Sequence, residues 1–390
     1  MPHRVHVTLS IAALPSSATL WGVGKQSYHV SYFRIPDVPS ASNQRFLSHR
    51  KKACYVTGHV RSVCQVCDEK TLDCTSVIVL SDRRKGLSGS WQFVECDSCG
   101  VISMAPLPTD EQLTFYYGAY SQDNTIDLSQ GVGSRHPKLR KLFHWLSGDV
   151  DPRDFVHVPD GARVLDYGCG HAGYLSDFHH RGVAISGAEI ADYAVEACRN
   201  HGYDVHKVGD FSRIPFNESE FDIVYLMQVF EHLRDPHEFL QELARILKSG
   251  GMLYLAVPNA ASIWRKVFNH NWVSGWFAPF HLFHYRCDIL EKMGGQHGFD
   301  RINTWSRTPE SWFRLNLKAL LYPGENQLDC HRNWLDSLPI RYLLMLLLRT
   351  IELPFHEKDC LVIQLRKRKA VWLIAAGKIT RTYPAYASRS

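Results

Sequence analysis

The sequence carries a glycine-rich turn directly after a short apolar run: Arg163-Val164-Leu165-Asp166-Tyr167-Gly168-Cys169-Gly170-His171-Ala172-Gly173. The run has the length and composition of a buried β-strand. The turn has the G-x-G-x-x-G spacing that joins a strand to a helix in nucleotide-binding folds. Glu189 lies 21 residues after Gly168, where such folds place a carboxylate for the hydroxyl groups of a ribose. The segment therefore predicts a nucleotide-cofactor site at the end of a first strand.

Short apolar runs alternate with helical stretches on the carboxyl-terminal side of this turn. The predicted strands are residues 163–167, 184–189, 222–227 and 252–257, and the predicted helices are residues 173–181, 191–201 and 236–247. Alternating strands and helices predict an α/β fold, in which helices cover both faces of a mainly parallel sheet.

The charge of Asp166 distinguishes between two kinds of cofactor. A pyrophosphate resting on the glycine turn would be repelled by this carboxylate, whereas a cofactor with an ammonium and a sulfonium group would be attracted. S-adenosylmethionine carries both groups. Asp166 therefore favours S-adenosylmethionine over a dinucleotide.

Two more segments have the chemistry of a site. Gly209-Asp210-Phe211 falls where a third strand should end, and it offers an acceptor for an exocyclic amine and an aromatic wall for a purine. The fourth strand is followed by Gln228-Val229-Phe230-Glu231-His232-Leu233-Arg234-Asp235-Pro236.

In this order the motifs resemble those of the class I S-adenosylmethionine-dependent methyltransferases, many of which have an E-x-G-x-G loop and an E-H-x-x-D-P segment. The resemblance covers residues 161–306 and implies a Rossmann-like sheet of seven strands flanked by helices, with the seventh strand at residues 360–366. It implies a cofactor site made of Asp166, Gly168, Gly170, Glu189, Asp210, Phe211 and Gln228.

In the resemblance, Asp166 and the two glycines surround the methionine part, Glu189 binds the ribose, and Asp210 and Phe211 contact the adenine. Structural roles are the alternative. Asp166 would then cap the following helix, the glycines would only form a tight turn, and Phe211 would belong to the core.

Three residues are candidates for the chemistry. Methyl transfer displaces a good leaving group, so much of the catalysis is positioning, and a base is needed only for an acceptor that must lose a proton. His232 follows the fourth strand and titrates near neutrality, so it is the first candidate, with adjacent Glu231. His281 lies in a Pro279-Phe280-His281-Leu282 stretch similar to the P-x-H-L of many relatives. The alternative for His232 is a structural bond to the turn at Asp235.

Aromatic and histidine residues are dense between positions 264 and 285. The resemblance implies that this segment builds part of the acceptor pocket, where aromatic faces bind rings or sugars. The alternative is a lid packed on the sheet.

Four of the 11 cysteines form two C-x-x-C pairs, Cys64 with Cys67 and Cys96 with Cys99. Two such pairs supply the four ligands of a closed tetrahedral zinc site, with hairpin strands at residues 75–80 and 90–94 between them. Because four cysteines leave no open position, the predicted zinc is structural. Surface or redox dithiols are the alternatives, and Cys54 and Cys74 complicate the assignment. The segment resembles the zinc-ribbon leader of many bacterial methyltransferases associated with polysaccharides or secondary metabolites.

These features predict five segments: a disordered basic extension at residues 1–53, a zinc-ribbon leader at 54–120, a helical linker at 121–160, a methyltransferase domain at 161–367 with a helical insertion at 307–359, and a basic tail at 368–390. The extension could instead be a transit peptide.

No apolar stretch reaches the roughly 18 residues of a membrane span, and we expect a cytoplasmic protein. The insertion could cover the site or form an oligomer contact, so the oligomeric state stays open.

The formal net charge of +5 comes from the two ends of the 390-residue chain. Residues 1–53 and 366–390 hold 14 of the 44 basic residues and one of the 39 acidic residues, which leaves about −8 in the middle. A phosphate backbone requires a basic face, and the N-P-P-Y/F type of loop of enzymes that methylate base amines is missing after the fourth strand. Nucleic acid is therefore disfavoured.

The sequence predicts an S-adenosylmethionine-dependent methyltransferase that acts on a small molecule or a glycan, with an oxygen atom as the favoured acceptor. The sequence also allows two alternative functions. One is a ribosomal or transfer RNA methyltransferase with an amino-terminal zinc site, and the other is a non-catalytic, zinc-stabilised binding protein.

Overall fold

The chain is seen in a computed structural model that describes residues 55–56, 64–67, 77–121, 137–170, 172–209, 214–369, 371–375 and 378–382. These residues belong to one unit by their contacts, Lys51–Ser390. The predicted extension at residues 1–53 lies outside the described residues, as do the candidate cofactor residues Asp210 and Phe211. No helix among the described residues is both long and apolar enough to cross a bilayer.

The amino-terminal elements form a small antiparallel sheet and three helices. They are β1 (Tyr55–Val56), β2 (Val77–Leu80), β3 (Trp91–Glu95), β4 (Ile102–Met104), α1 (Asp110–Ser121), α2 (Pro137–Ser147) and α3 (Pro152–Phe155). The predicted hairpin at residues 75–80 and 90–94 corresponds to β2 and β3, which pair antiparallel. The cysteine pairs flank this hairpin, so it brings them to one end of the sheet.

The central elements alternate between strand and helix, as the hydrophobic pattern predicts. They are β5 (Arg163–Tyr167), α4 (Gly173–His180), β6 (Ala184–Glu189), α5 (Asp192–Asn200), β7 (Val205–Lys207), β8 (Phe221–Met227), α6 (Pro236–Ile246) and β9 (Leu247–Pro258). Helix α6 shows why these segments are helical. Pro236 occupies its first turn, where a missing N–H costs nothing, and Phe239, Leu243 and Ile246 bury one face against the sheet.

The carboxyl-terminal elements complete the sheet and cover one end of it. They are α7 (Ile263–Phe268), α8 (Val273–Trp276), β10 (Phe283–His284), α9 (Cys287–Gln296), β11 (Phe299–Arg307), α10 (Glu310–Leu321), α11 (Leu338–Ile351), β12 (Cys360–Lys367), β13 (Val371–Ala375) and β14 (Lys378–Thr382). The predicted insertion contains α10 and α11, with a short 3-10 helix at Trp334–Asp336 before α11. Strands β13 and β14 pair antiparallel inside the predicted basic tail, and the sequence did not predict them.

The main sheet has seven strands in the order β11-β12-β9-β8-β5-β6-β7. Strands β7, β6, β5, β8 and β9 are parallel, whereas β12 runs antiparallel to both β9 and β11. The chain proceeds from β5 outward to β7 and then returns to β8 on the other side of β5. This reversal creates a crevice at the carboxyl ends of β5 and β8, which is where open α/β sheets bind ligands.

The leader and the central domain share a sheet. Strand β10, from the aromatic segment, pairs antiparallel with β4, so that Phe283 opposes Ser103 and His284 opposes Ile102. The Arg83 guanidinium, from the loop after β2, donates hydrogen bonds to the Ala319 carbonyl at 2.9 Å and the Tyr322 carbonyl at 2.6 Å, at the end of α10. The leader therefore pairs with the aromatic segment and forms hydrogen bonds with the insertion.

Candidate active site

The glycine turn begins where β5 ends in the crevice. Gly168 has a φ of +77°, and a Cβ at this position would lie 2.4 Å from the Val229 Cγ2 atom, in the loop after β8. Gly170 has a φ of +48°, but no atom lies within 4 Å of a Cβ placed there. Gly168 thus allows the two loops to pack together, whereas Gly170 faces open space that a ligand can fill.

Alanine at these two glycines is expected to affect different properties. Gly168→Ala should lower the free energy of unfolding by about 1–3 kcal/mol, because its Cβ collides with Val229 in a well-packed contact. Gly170→Ala should cost less stability, since its Cβ meets nothing, but it should weaken cofactor binding by filling the open space. Urea denaturation and calorimetric titration with S-adenosylmethionine measure the two effects. Equal stability losses with unchanged affinity for both variants would contradict this assignment.

Asp166 lies in β5 directly beneath the glycine turn. Its side chain is 2% exposed, and its Oδ2 atom is buried with no hydrogen-bond partner among the described residues. Burial raises the pKa of this carboxyl group to about 8. A buried carboxylate oxygen without a partner is costly, so a cationic ligand would stabilise the ionised form. The predicted contact with an ammonium or sulfonium group stays a prediction.

Glu189 joins the glycine turn to the end of β6. Its Oε2 atom accepts a hydrogen bond from the Gly170 backbone N–H at 2.8 Å, and its Oε1 atom accepts from the N–H groups of Ile190 at 2.8 Å and Ala191 at 3.0 Å. The carboxylate therefore holds the turn and the start of α5 in place. The same position, beside the open space at Gly170, suits the binding of ribose hydroxyl groups.

Gln228 lies at the end of β8 in a left-handed conformation, with a φ of +59°. Its backbone N–H donates to the Ala256 carbonyl at 2.8 Å, and its side-chain Nε2 donates to the Cys360 Sγ atom at 3.3 Å. The side chain thus contacts strand β12, and its predicted role in cofactor binding stays a prediction.

Glu231 lies in a 3-10 helix, Phe230–His232, that follows β8. The residue is fully buried, and neither carboxylate oxygen has a hydrogen-bond partner among the described residues. Burial raises the pKa of Glu231 to about 8. Its Oε1 atom lies 3.8 Å from the Nε2 atom of His281. Two of the three predicted catalytic residues are therefore neighbours, although 50 positions separate them in the sequence.

His232 is partly exposed and completes this group. Its ring centroid lies 4.7 Å from that of His281, and its Nδ1 atom lies 2.9 Å from the Tyr117 hydroxyl group. Burial lowers the pKa of His232 to about 4, so the ring is neutral at pH 7 and keeps a lone pair. The structure therefore brings Glu231, His232 and His281 together, next to the loop that packs on Gly168.

Tyr117 was missed as a site residue by sequence reasoning. It lies in α1, beyond the cysteine segment, and its ring also contacts Phe280 with the centroids 5.8 Å apart. The available signal was the pair Tyr116-Tyr117 shortly after the second cysteine pair. The two tyrosines gave no indication of which residue Tyr117 would contact.

Most rings of the aromatic segment are buried. Trp272, Trp276 and Phe280 are 0%, 3% and 2% exposed. The Trp272 indole N–H donates to Asp359 at 2.8 Å, and the Trp264 indole N–H donates to Glu352 at 2.6 Å. These two contacts hold the tryptophans against the chain between α11 and β12. Among the residues between 264 and 285, His281 is the one that reaches the Glu231 carboxylate.

The four predicted zinc ligands lie together. The Sγ atoms of Cys64, Cys67, Cys96 and Cys99 are all within 4.8 Å of one another, with 3.8 Å between Cys64 and Cys99 and 3.7 Å between Cys67 and Cys96. Four sulfurs at about 2.3 Å from a tetrahedral zinc ion would be about 3.8 Å apart. The geometry of the cluster fits a closed zinc site.

The central part of the chain is similar in sequence to known proteins. Residues 165–255 match a family model described as a methyltransferase domain. A ubiquinone biosynthesis O-methyltransferase from Maricaulis maris is 30% identical over 135 residues, which cover 32% of this chain and 53% of the relative. One of the same name from Xanthomonas oryzae pv. oryzae is 37% identical over 108 residues, or 25% of this chain and 44% of the relative. The chain thus spans about half the length of these curated relatives.

Solved structures of similar proteins share less sequence. A SAM-dependent methyltransferase from Archaeoglobus fulgidus is 16% identical, with a TM-score of 0.38, and the match covers 65% of this chain and 99% of that chain. The sheet order and the glycine turn are consistent with the match of residues 165–255 to a methyltransferase domain.

Proposed function

We propose that this protein is an S-adenosylmethionine-dependent methyltransferase that transfers a methyl group to an oxygen atom of a small-molecule or sugar acceptor. The observation that carries the proposal is the buried Asp166 carboxyl group, whose Oδ2 atom has no hydrogen-bond partner among the described residues and which lies beside a glycine turn that Glu189 holds. The named relatives support transfer to oxygen, since they are O-methyltransferases. We also propose a cytoplasmic location.

In this proposal, one set of residues binds the cofactor and another binds the acceptor. Bound S-adenosylmethionine supplies an electrophilic methyl group on a sulfonium. Asp166 compensates its positive charge, and Glu189 holds the ribose beside Gly170. His232, neutral and partly exposed, faces the acceptor and accepts a hydrogen bond from its hydroxyl group. Tyr117 holds the His232 ring through Nδ1, which fixes the direction of the other ring nitrogen.

The four cysteines are proposed to hold a structural zinc ion. Support comes from the sulfur spacing and from the small size of the leader. This zinc would keep α1 in position, and α1 carries Tyr117.

Replacing His232 with Ala is expected to lower turnover about 10²- to 10⁴-fold, the usual contribution of a positioned acid or base, without changing the affinity for S-adenosylmethionine. Tyr117→Phe should lower turnover by a smaller factor, because His232 remains but is no longer held. Transfer of a labelled methyl group is measured with catechols, hexoses and transfer RNA as acceptors. Exposed His201, replaced with Ala, is the matched control.

Two outcomes would change the proposal. Unchanged turnover of His232→Ala would make this histidine structural. Methylation of transfer RNA, but of no small acceptor, would support the RNA methyltransferase that the acidic middle of the chain disfavours.

A further inference from the structure

In the group of Glu231, His232 and His281, a carboxyl oxygen and an imidazole nitrogen face each other at a distance too long for a hydrogen bond. The Nδ1 atom of His281 lies 2.7 Å from the Gly275 carbonyl oxygen. Because a carbonyl oxygen only accepts, Nδ1 carries the proton and donates it. Neutral His281 therefore has an unprotonated Nε2 atom, and this atom lies 3.8 Å from Glu231 Oε1.

The residues around this group leave the Glu231 oxygens without hydrogen bonds. Neither Glu231 oxygen has a hydrogen-bond partner among the described residues, although the residue is 0% exposed and His281 is 4% exposed. The nearby Arg84 guanidinium lies over the Phe277 ring, 3.9 Å from its centroid, and forms an ion pair with Asp329 at 3.1 Å. Arg84 therefore gives the Glu231 oxygens no hydrogen bond. A buried carboxyl group and an imidazole nitrogen that do not hydrogen-bond each other form a site that can be neutralised by a bound cation.

His232 supplies a third ligand atom to the same space. One ligand atom from each of Glu231, His232 and His281 lies within 4.8 Å of the others. Metal–ligand bonds of about 2.0–2.2 Å would place these atoms about 3.4 Å apart, so the group would contract by up to about 1.4 Å on binding. Two imidazoles and one carboxylate suit divalent first-row metals such as zinc, iron or cobalt, and three protein ligands leave a coordination position open.

The outer contacts are those of metal-binding histidines. Such a residue usually donates its second ring N–H to a carbonyl or another polar group, which fixes the ring and its tautomer. The second nitrogen of His281 bonds the Gly275 carbonyl, and that of His232 meets the Tyr117 hydroxyl group. A Cβ on Gly275 would lie 2.1 Å from the Trp272 ring, so the buried tryptophan fixes the carbonyl that orients His281.

We propose that Glu231, His232 and His281 bind a divalent transition-metal ion, separate from the cysteine cluster, whose open position takes the acceptor oxygen. The second half of this statement rests on the proposed methyltransferase function. Coordination lowers the pKa of a hydroxyl group. The acceptor hydroxyl then releases its proton to solvent, and its O–CH₃ bond forms as the S–CH₃ bond breaks and leaves S-adenosylhomocysteine. In this arrangement the bond from His232 to the metal replaces its direct hydrogen bond to the acceptor.

Cobalt(II) titration of the metal-free full-length chain tests the proposal, because thiolate ligands give strong charge-transfer absorption and nitrogen and oxygen ligands do not. The wild type should bind about two cobalt ions per chain. The thiolate band should saturate with one of them, and the other should add only weaker ligand-field absorption. A wild type that binds cobalt solely at its thiolates overturns the proposal, whatever the variants do.

Variants locate the second ion. Glu231→Gln keeps the shape of the side chain, and it should weaken the second cobalt site by more than about 100-fold, since even outer contacts of metal ligands contribute about 10- to 100-fold. His281→Asn should do the same, and both should keep the thiolate band. His284→Asn is the matched control, because His284 is also buried and bonds the same Gly275 carbonyl at 3.1 Å. Equal loss in His284→Asn, or full binding by Glu231→Gln, contradicts the assignment.

The two proposals fail separately. A wild-type chain that transfers methyl groups but binds no second cobalt ion would refute the metal site and leave the methyltransferase function intact. A second cobalt ion in a chain that does not bind S-adenosylmethionine would retain the metal site and refute the function.

Discussion

Replacing Asp166 with Asn is expected to weaken S-adenosylmethionine binding at least tenfold and to leave the fold intact. The substitution keeps the shape of the side chain but removes the charge that faces the cofactor. Hydrogen bonds to charged groups contribute about 1.5–3 kcal/mol, and about 1.4 kcal/mol corresponds to tenfold in affinity. Isothermal titration calorimetry measures the affinity. Asp160→Asn, at an exposed position before β5, is the matched control.

The protonation of Asp166 provides a second readout of the same site. Its pKa is raised to about 8 by burial, so most of the carboxyl group is protonated at pH 7 before the cofactor binds. A cationic ligand favours the ionised form, so binding should release a proton, and the affinity should increase as the pH rises towards 8. Titrations in buffers of different ionisation enthalpy count this proton. Equal proton release by Asp166→Asn, or unchanged affinity, would refute the cofactor assignment.

Removal of zinc is expected to unfold the leader and to lower methyl transfer as well. Zinc bound to four thiolates contributes about 10–16 kcal/mol to the folding of small domains, which is more than the leader can replace. The loss should reach the candidate active site, because β4 pairs with β10, just beyond His281, and α1 carries Tyr117. Cys96→Ser should therefore lower zinc content, melting temperature and turnover together.

The matched control is Cys330→Ser, because Cys330 is exposed and lies outside the cluster. Metal content is measured by mass spectrometry, and unfolding is followed by circular dichroism. A Cys96→Ser protein with wild-type turnover would show that the leader does not support the active site. A wild-type chain that is folded and free of metal would refute the zinc ion itself.

Local features of the fold could be predicted from the sequence. The strands at Arg163–Tyr167 and Ala184–Glu189 have the predicted bounds, because a buried parallel strand is a short apolar run that ends at a turn. The Gly168 turn was equally readable, since its spacing reflects a backbone that most side chains cannot adopt. The bounds of β9 were less accurate. The structure begins it at Leu247, whereas the apolar run predicts residue 252.

The grouping of Glu231, His232 and His281 follows only in part from the sequence. Strand order puts the residues after β8 beside the glycine turn, so Glu231 and His232 could be placed near the cofactor. The position of His281 depends on the path of the chain after β9, and its tautomer depends on the Gly275 carbonyl. Neither has a local signal.

The contribution of the leader follows from packing alone. Two cysteine pairs predict a zinc site because the ligands of each pair are close in sequence. No such spacing indicates that Phe283 would add a strand to the leader sheet or that Tyr117 would meet His232. These contacts join residues more than 100 positions apart, and they form only when the buried surfaces of both segments come together. Short-range patterns therefore specified the strands, the glycine turn and the cysteine pairs, whereas long-range packing assembled the candidate active site from three separate parts of the chain.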